Sequence, residues 1–206
     1  MVTALPILFF VAQAEPAPNP TPAPTIEREK PTLPASAVGF AVGLAYRLPL
    51  SGEDVPPALG PTLATFIGHR YALLSHTLAL GMSASFTYSR HLSADTGISL
   101  FDFALLQTAV LEVGRVRPWA AFGGGVSLGH FTSPEPRYEP GESRAVVAVM
   151  QAGVGADVNV YGPTDVGLRL EYAHLFPQPS FQTHAGAKLG VFGPRFAARL
   201  GIQYRF

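Results

Sequence analysis

From Ser36 onward the chain alternates large apolar residues with small or charged ones, the period-2 signature of a β-strand with two unlike faces. In 38–48, Val38, Phe40, Val42, Leu44, Tyr46 and Leu48 oppose Gly39, Ala41, Gly43, Ala45 and Arg47. In 78–88, Leu78, Leu80, Met82, Phe86 and Tyr88 oppose Gly81, Ser83, Ser85 and Thr87. Across 101–113, Phe101, Phe103, Leu105, Leu111 and Val113 lie opposite a face with Asp102, Thr108 and Glu112. The division recurs in 146–160, where Val146, Met150, Val154, Val158 and Val160 oppose Gln151, Gly153, Gly155, Asp157 and Asn159. In 166–176, Val166, Leu168, Leu170, Tyr172 and Phe176 oppose Gly167, Arg169 and Glu171. Less regular strands are expected near 61–71 and 118–131, the second with Phe122, Val126 and Leu128 opposite glycines. The last strand, 195–206, sets Phe196, Leu200, Ile202, Tyr204 and Phe206 against Arg195, Arg199, Gln203 and Arg205. That makes eight strands.

The connections alternate in length. Short ones fall near 72–76, 114–117 and 161–165; longer ones near 49–60, 91–98, 132–144 and 177–194. An even strand number with tight turns on one side and long loops on the other is the pattern of bacterial membrane barrels. The expected fold class is therefore all-β, an eight-stranded antiparallel up-and-down transmembrane β-barrel. Starting strand one at the periplasmic side places both termini there and the longer loops outside.

Composition sharpens the choice of surroundings. Charged residues make up 14% of the chain and mean hydropathy is +0.24, against about 25% charged residues in ordinary soluble domains. No stretch approaches the roughly 18 to 20 apolar residues of a membrane helix. A soluble barrel with its apolar face inside is the alternative that alternation alone leaves open. A face of Gly, Ala, Ser and Arg is a poor coat against water, but it suits the narrow lumen of eight strands, which only side chains fill. The register points Arg47, Arg70, Arg169, Arg195, Arg199 and Arg205 inward with Asp102, Glu112, Asp157 and Glu171. Six positive and four negative charges predict a paired ionic plug, because unpaired buried charge is expensive.

The N-terminus reads as an address label. Leu5 to Val11 form a short apolar core, and Ala12-Gln13-Ala14 has the small-x-small pattern of a signal-peptidase site, although no Lys or Arg precedes the core. Residues 1–14 are thus expected to be a signal peptide. Residues 15–35 carry prolines at 16, 18, 20, 22, 24, 31 and 34, and predict an extended linker without a packed core. The barrel is expected over 36–206.

The ending Leu200-Gly201-Ile202-Gln203-Tyr204-Arg205-Phe206 resembles that of the small eight-stranded OmpA/OmpX-type outer-membrane β-barrel family, as does Arg117-Pro118-Trp119 leading into Gly123-Gly124-Gly125. The resemblance spans roughly 36–206. It implies that Tyr204 and Phe206 form an assembly signal read by the outer-membrane assembly machinery. It also implies outer-membrane lipid and lipopolysaccharide as surroundings, with any extracellular partner held by the loops.

Candidate chemistry is sparse. Fourteen basic and fourteen acidic residues give no net charge, so no nucleic-acid partner is expected. No cysteine is present, and the six histidines form no His-x-x-x-His pair, so neither a metal nor a cofactor is expected. Gly123-Gly124-Gly125 lies within a strand with no helix or Lys-Ser/Thr after it, so a phosphate loop is not implied. Some barrels of the resembled group act on lipid A with an outward His and Ser plus a Glu. His130 and His174 fall on the outward face near strand ends, but neither sits in a His-x-Ser motif, and Ser180 and Glu139 share no register with them. The reading is a non-catalytic barrel with a structural, adhesive or loop-mediated role. The alternatives are a narrow pore or small-ligand barrel and, third, a lipid A-modifying enzyme.

Overall fold

The computed structural model describes residues 36–48, 57–75, 77–92, 97–132, 144–176, 180–182, 188–190 and 193–206. The expected signal peptide (1–14) and linker (15–35) lie outside the described residues. The strands are β1 (Ser36–Arg47), β2 (Ala58–Leu73), β3 (Leu78–Leu92), β4 (Gly97–Leu111), β5 (Val116–Thr132), β6 (Arg144–Tyr161) and β7 (Thr164–Phe176), then the short β8 (Ser180–Gln182) and β9 (Lys188–Gly190), and finally β10 (Arg195–Arg205). Eight of them close a barrel in the order β1-β10-β7-β6-β5-β4-β3-β2, while β8 and β9 pair separately. Every barrel pairing is antiparallel.

The two ends of the barrel differ. At the terminal end, Ser36 and Phe206 exchange backbone hydrogen bonds of 3.1 and 2.9 Å, which lock the first strand to the last. Tight turns at 112–115 and 162–163 lie at this end, with Gly114 at φ +61° and Gly162 at φ +51°, a left-handed backbone that glycine adopts without strain. Segments 49–56, 93–96 and 133–143 join strands at the opposite, loop end.

The strands run further than their apolar alternation suggests. A longer connection was expected near 91–98, yet β3 extends to Leu92 and β4 begins at Gly97, leaving only 93–96 between them. The reason is a polarity inversion along the strands. At the loop end of β3 and β4, Arg90 and Ser99 face outward, with the exposed Leu92 beyond Arg90, while His91, Ile98 and Leu100 are buried inside.

Elsewhere the outward face is mostly apolar, with Phe40, Leu44, Phe103, Leu105, Phe122, Val154, Leu168, Leu200 and Ile202 all exposed, and it is interrupted by Thr65, Gln107 and His174. The inward face is small because the wall curves tightly. A Cβ on Gly125 would sit 2.7 Å from Ala104 Cα on β4, and one on Gly123 would sit 2.8 Å from Leu106 Cα. Two inward aromatic rings use the space that other glycines leave. The Phe66 ring covers Gly39, and the Trp119 ring covers Gly155.

Candidate functional site

The barrel interior is the densest collection of polar and charged groups, and it is layered along the axis. At the loop end, Ile98, Leu100, Phe131, Val147, Val149 and Leu175 form a buried apolar cluster. This corrects the expectation of a lumen lined by small and charged residues throughout. These side chains share the inward parity of Asp102, Ser127, Gln151 and Glu171 on the same strands, one or two steps nearer the loops.

Beneath that cluster lies a first ionic layer. Arg195 pairs with Asp102 and also donates to Ser89 Oγ at 3.0 Å. Asp102, 1% exposed, further accepts from Ser127 Oγ at 2.6 Å and Gln151 Nε2 at 3.4 Å. Arg199 pairs with Glu171, and its Nε and Nη2 donate to Thr62 Oγ1 at 3.1 and 3.0 Å. Arg47 is fully buried beside Arg195, its register partner on β10. His91 sits at this level, bonded to Ala58 O and Ser89 Oγ, both at 3.3 Å.

Next comes a cavity of about 110 Å³ whose lining includes Phe66, Trp119, Ser85, Asp157, Arg169 and Glu171. The Arg169 guanidinium lies 3.9 Å from the Phe66 ring centroid and 4.8 Å from that of Trp119, a cation–π position on both. It also reaches Asp157 at 3.6 Å.

A second ionic layer closes the terminal end. Arg70 meets Glu112 at 2.5 Å, Glu112 meets Arg117 at 2.6 Å, Arg117 meets Asp165 at 2.8 Å, and Asp165 meets Arg205 at 2.9 Å. Asn159 donates to Asp165 at 2.9 Å, and Gln203 donates to both Asp157 (3.0 Å) and Asp165 (3.1 Å). Charge-assisted bonds of this kind are the strong ones in a water-poor interior.

All ten charges assigned inward from the sequence lie inside, divided between these layers. Besides the apolar cluster, the inward residues Arg117, Asp165, Phe66 and Trp119 are not expected from the sequence. Arg117 and Asp165 had been given to turns at 114–117 and 161–165. Extending the strand parity one step would have found both, since Asp165 is in phase with Gly167 and Arg169. The inward aromatics carry no such signal, because apolar residues were read as outward.

On the outer face, His174 Nδ1 lies 3.2 Å from Tyr172 Oη, and its ring centroid is 4.3 Å from that of Phe176. His130 is likewise outward, with Ser99 as its cross-strand partner on β4. A serine–histidine nucleophile requires a third group to orient the imidazole. Among the described strand residues no carboxylate faces outward. Ser180 lies on β8, away from either histidine in register, and Glu139 lies outside the described residues. No group of His, Asp and Glu among the described residues has the geometry of a metal site. Tyr204 and Phe206 point outward at the terminal end, 51% and 61% exposed.

No protein-family model matches the chain, and no curated protein sequence matches it. Solved structures do. Neisserial surface protein A aligns with a TM-score of 0.58 at 14% identity, covering 83% of this chain and 97% of that one. Ail, the attachment invasion locus protein of Yersinia pestis, aligns at 0.48 with 17% identity over 84% and 99%. The outer membrane enzyme PagL aligns at 0.46 with 16% identity over 82% and 99%. On its own strand order, its closure and the first of these alignments, this chain has the fold of the small eight-stranded outer-membrane β-barrels.

Proposed function

We propose that this protein is a non-catalytic barrel of the bacterial outer membrane, with both termini in the periplasm and a lumen that does not conduct. Its role is structural or adhesive and is exercised at the loop end. The observation that carries this is the pairing of faces: a largely apolar outer belt around an interior of paired charges. Soluble monomers rarely expose apolar patches beyond a few hundred Å². Hydrocarbon accepts such a belt, and a closed barrel leaves no unpaired strand edge within it. Eight strands leave a lumen that side chains fill, and here an apolar cluster and two ionic layers occupy it.

The test has two readouts. The full-length protein should partition with outer membranes and shift its gel mobility on heating; a soluble, unshifted protein would overturn the membrane reading. In planar bilayers it should give no ion-conducting steps, and steady conductance would overturn the plugged lumen. Deleting Phe206, which is paired to Ser36 and faces outward, should impair membrane assembly far more than changes in 49–56 or 133–143.

The cavity beside Arg169 favours a second reading, a small ligand held in the lumen. Trp119 Nε1 and Ser85 Oγ are buried there without a hydrogen-bond partner, so an acceptor of a few heavy atoms, or water, suits it. A bound small molecule released by unfolding, and identified by mass spectrometry, would favour that reading over an empty plug.

A further inference from the structure

Around the lumen cavity the buried charges do not balance. In the terminal ionic layer and along the cavity, Arg70, Arg117, Arg169, Arg199 and Arg205 face Glu112, Asp157, Asp165 and Glu171 among the described residues, one more cation than anion. Arg70, Arg117 and Arg205 each meet a carboxylate within 2.9 Å, and Arg199 pairs with Glu171. Arg169 is the exception. It reaches Asp157 only at 3.6 Å, and Asp157 already accepts from Gln203 at 3.0 Å. A guanidinium carries five N–H donors. Among the described residues that of Arg169 makes one long hydrogen bond, Nη2 to Gln203 Oε1 at 3.5 Å, and its Nε is buried without a partner. The surplus positive charge therefore sits on a group that lies against the Phe66 and Trp119 rings and lines a cavity of about 110 Å³. Ring contact satisfies the flat face of a guanidinium and leaves its N–H edge unfilled.

We infer that the cavity is a binding site for a small monocarboxylate, held by Arg169 as the counter-ion that completes the pairing of charges in the lumen. An unpaired buried cation is expensive, and one carboxylate brings the two signs into balance. The planar pair of oxygens matches the fork of a guanidinium. Trp119 Nε1 and Ser85 Oγ on the same lining are also unpartnered and can donate, so the vacant polar positions call for an acceptor. Ala64, Leu106 and Val110 supply an apolar wall for a short tail. Size limits that tail: an apolar cavity of about 150 Å³ takes benzene, so about four or five heavy atoms, the size of acetate or propionate, fit here. Water fills the same space but leaves the charge uncompensated. The lining reaches Ser36 and Ala37 at the start of β1, whereas the Arg195–Asp102 pair and the apolar cluster occupy the lumen toward the loops. The carboxylate thus enters from the terminal end.

This inference rests on the lumen-ligand reading above and names the class of ligand. Trp119 is the single tryptophan of the chain and lines the cavity, so its fluorescence reports occupancy. The full chain, folded in zwitterionic micelles and dialysed into carboxylate-free buffer, is titrated with propionate, with its neutral isostere propionamide and with chloride, all at the same ionic strength. Propionate should give a saturable change, and Arg169→Gln should weaken its binding by roughly tenfold or more, as expected on removing a charged hydrogen-bond donor. Ser83→Leu, which fills the cavity and leaves every charge in place, should abolish the change. An undiminished response in either variant, shown to be folded by its heat-shifted mobility, overturns the site; if Arg169→Gln does not fold, Ser83→Leu decides. An equal response to propionamide overturns the carboxylate in favour of a neutral ligand, and an equal response to chloride overturns it in favour of any small anion. No saturable response to any of the three fails the lumen-ligand reading itself.

Discussion

One wall of the loop end, from β3 to β7, and the terminal end of the same barrel are built on opposite rules. Near the loops, Leu100, Phe131 and Leu175 fill the interior while Arg90, Ser99 and Arg144 face outward. Near the termini, Asp165, Arg117 and Arg205 fill the interior while Val38, Val166, Ile202 and Tyr204 face outward. The strands keep one alternation throughout, so the backbone does not cause the difference. On the membrane reading proposed above, the surroundings do. Where the outside is hydrocarbon, apolar residues lose nothing by facing it, and polar groups are driven inward to pair with one another. Where the outside is water or headgroups, the wall reverts to the arrangement of a soluble protein, apolar within.

That contrast can be broken first at its most connected point. Asp165 is fully buried and joins two arginines, Asn159 and Gln203. Asp165→Ala leaves those donors without their shared acceptor and should cost about 3–5 kcal/mol or more. The measurement is equilibrium urea unfolding of the protein in liposomes. At the other end Phe131→Ala should cost about 3–5 kcal/mol by a different route, cavity formation. Phe131→Leu should recover most of that loss, whereas no isosteric but uncharged residue should rescue Asp165 to the same degree. A smaller effect separates pairing from packing in the middle layer. Asp102→Leu combined with Arg195→Met should be less destabilising than either change alone, because the double variant removes both partners of the ion pair together. Ser127→Ala removes one hydroxyl donor from Asp102 and should cost about 1.5–3 kcal/mol. The smallest change is expected outside: His174→Phe, which exchanges one belt aromatic for another, should stay within about 0.5 kcal/mol. If Phe131→Ala proved silent while Asp165→Ala unfolded the barrel, the loop-end cluster would be decoration and the ionic layers alone would hold the lumen.

Much of this was legible along the chain. Alternation assigned Phe40, Leu105 and Leu200 to the outer face and Arg199 and Asp102 to the inner one, because a pleated strand sends neighbours to opposite sides whatever surrounds it. Strand ends were harder to read. The connection expected near 91–98 is too long because the rule that apolar means outward fails where the belt stops, although the alternation itself persists. The same rule hid Phe66 and Trp119, whose inward placement depends on glycines of other strands, Gly39 and Gly155, leaving room for their rings.

The sequence by itself determined the strand count, the register of the two faces and the ten charges that point inward. All of these follow from local periodicity, and a slip of one residue would turn every side chain to the wrong side. Only the tertiary structure decided which charges meet. Arg195 finds Asp102, and Arg117 bridges Glu112 and Asp165, because closure of the barrel brings strands distant in sequence across one narrow lumen. It also gathered Arg90 and Arg144 into a single outer row. Pairing between strands is a property of the closed sheet, and no single strand carries it.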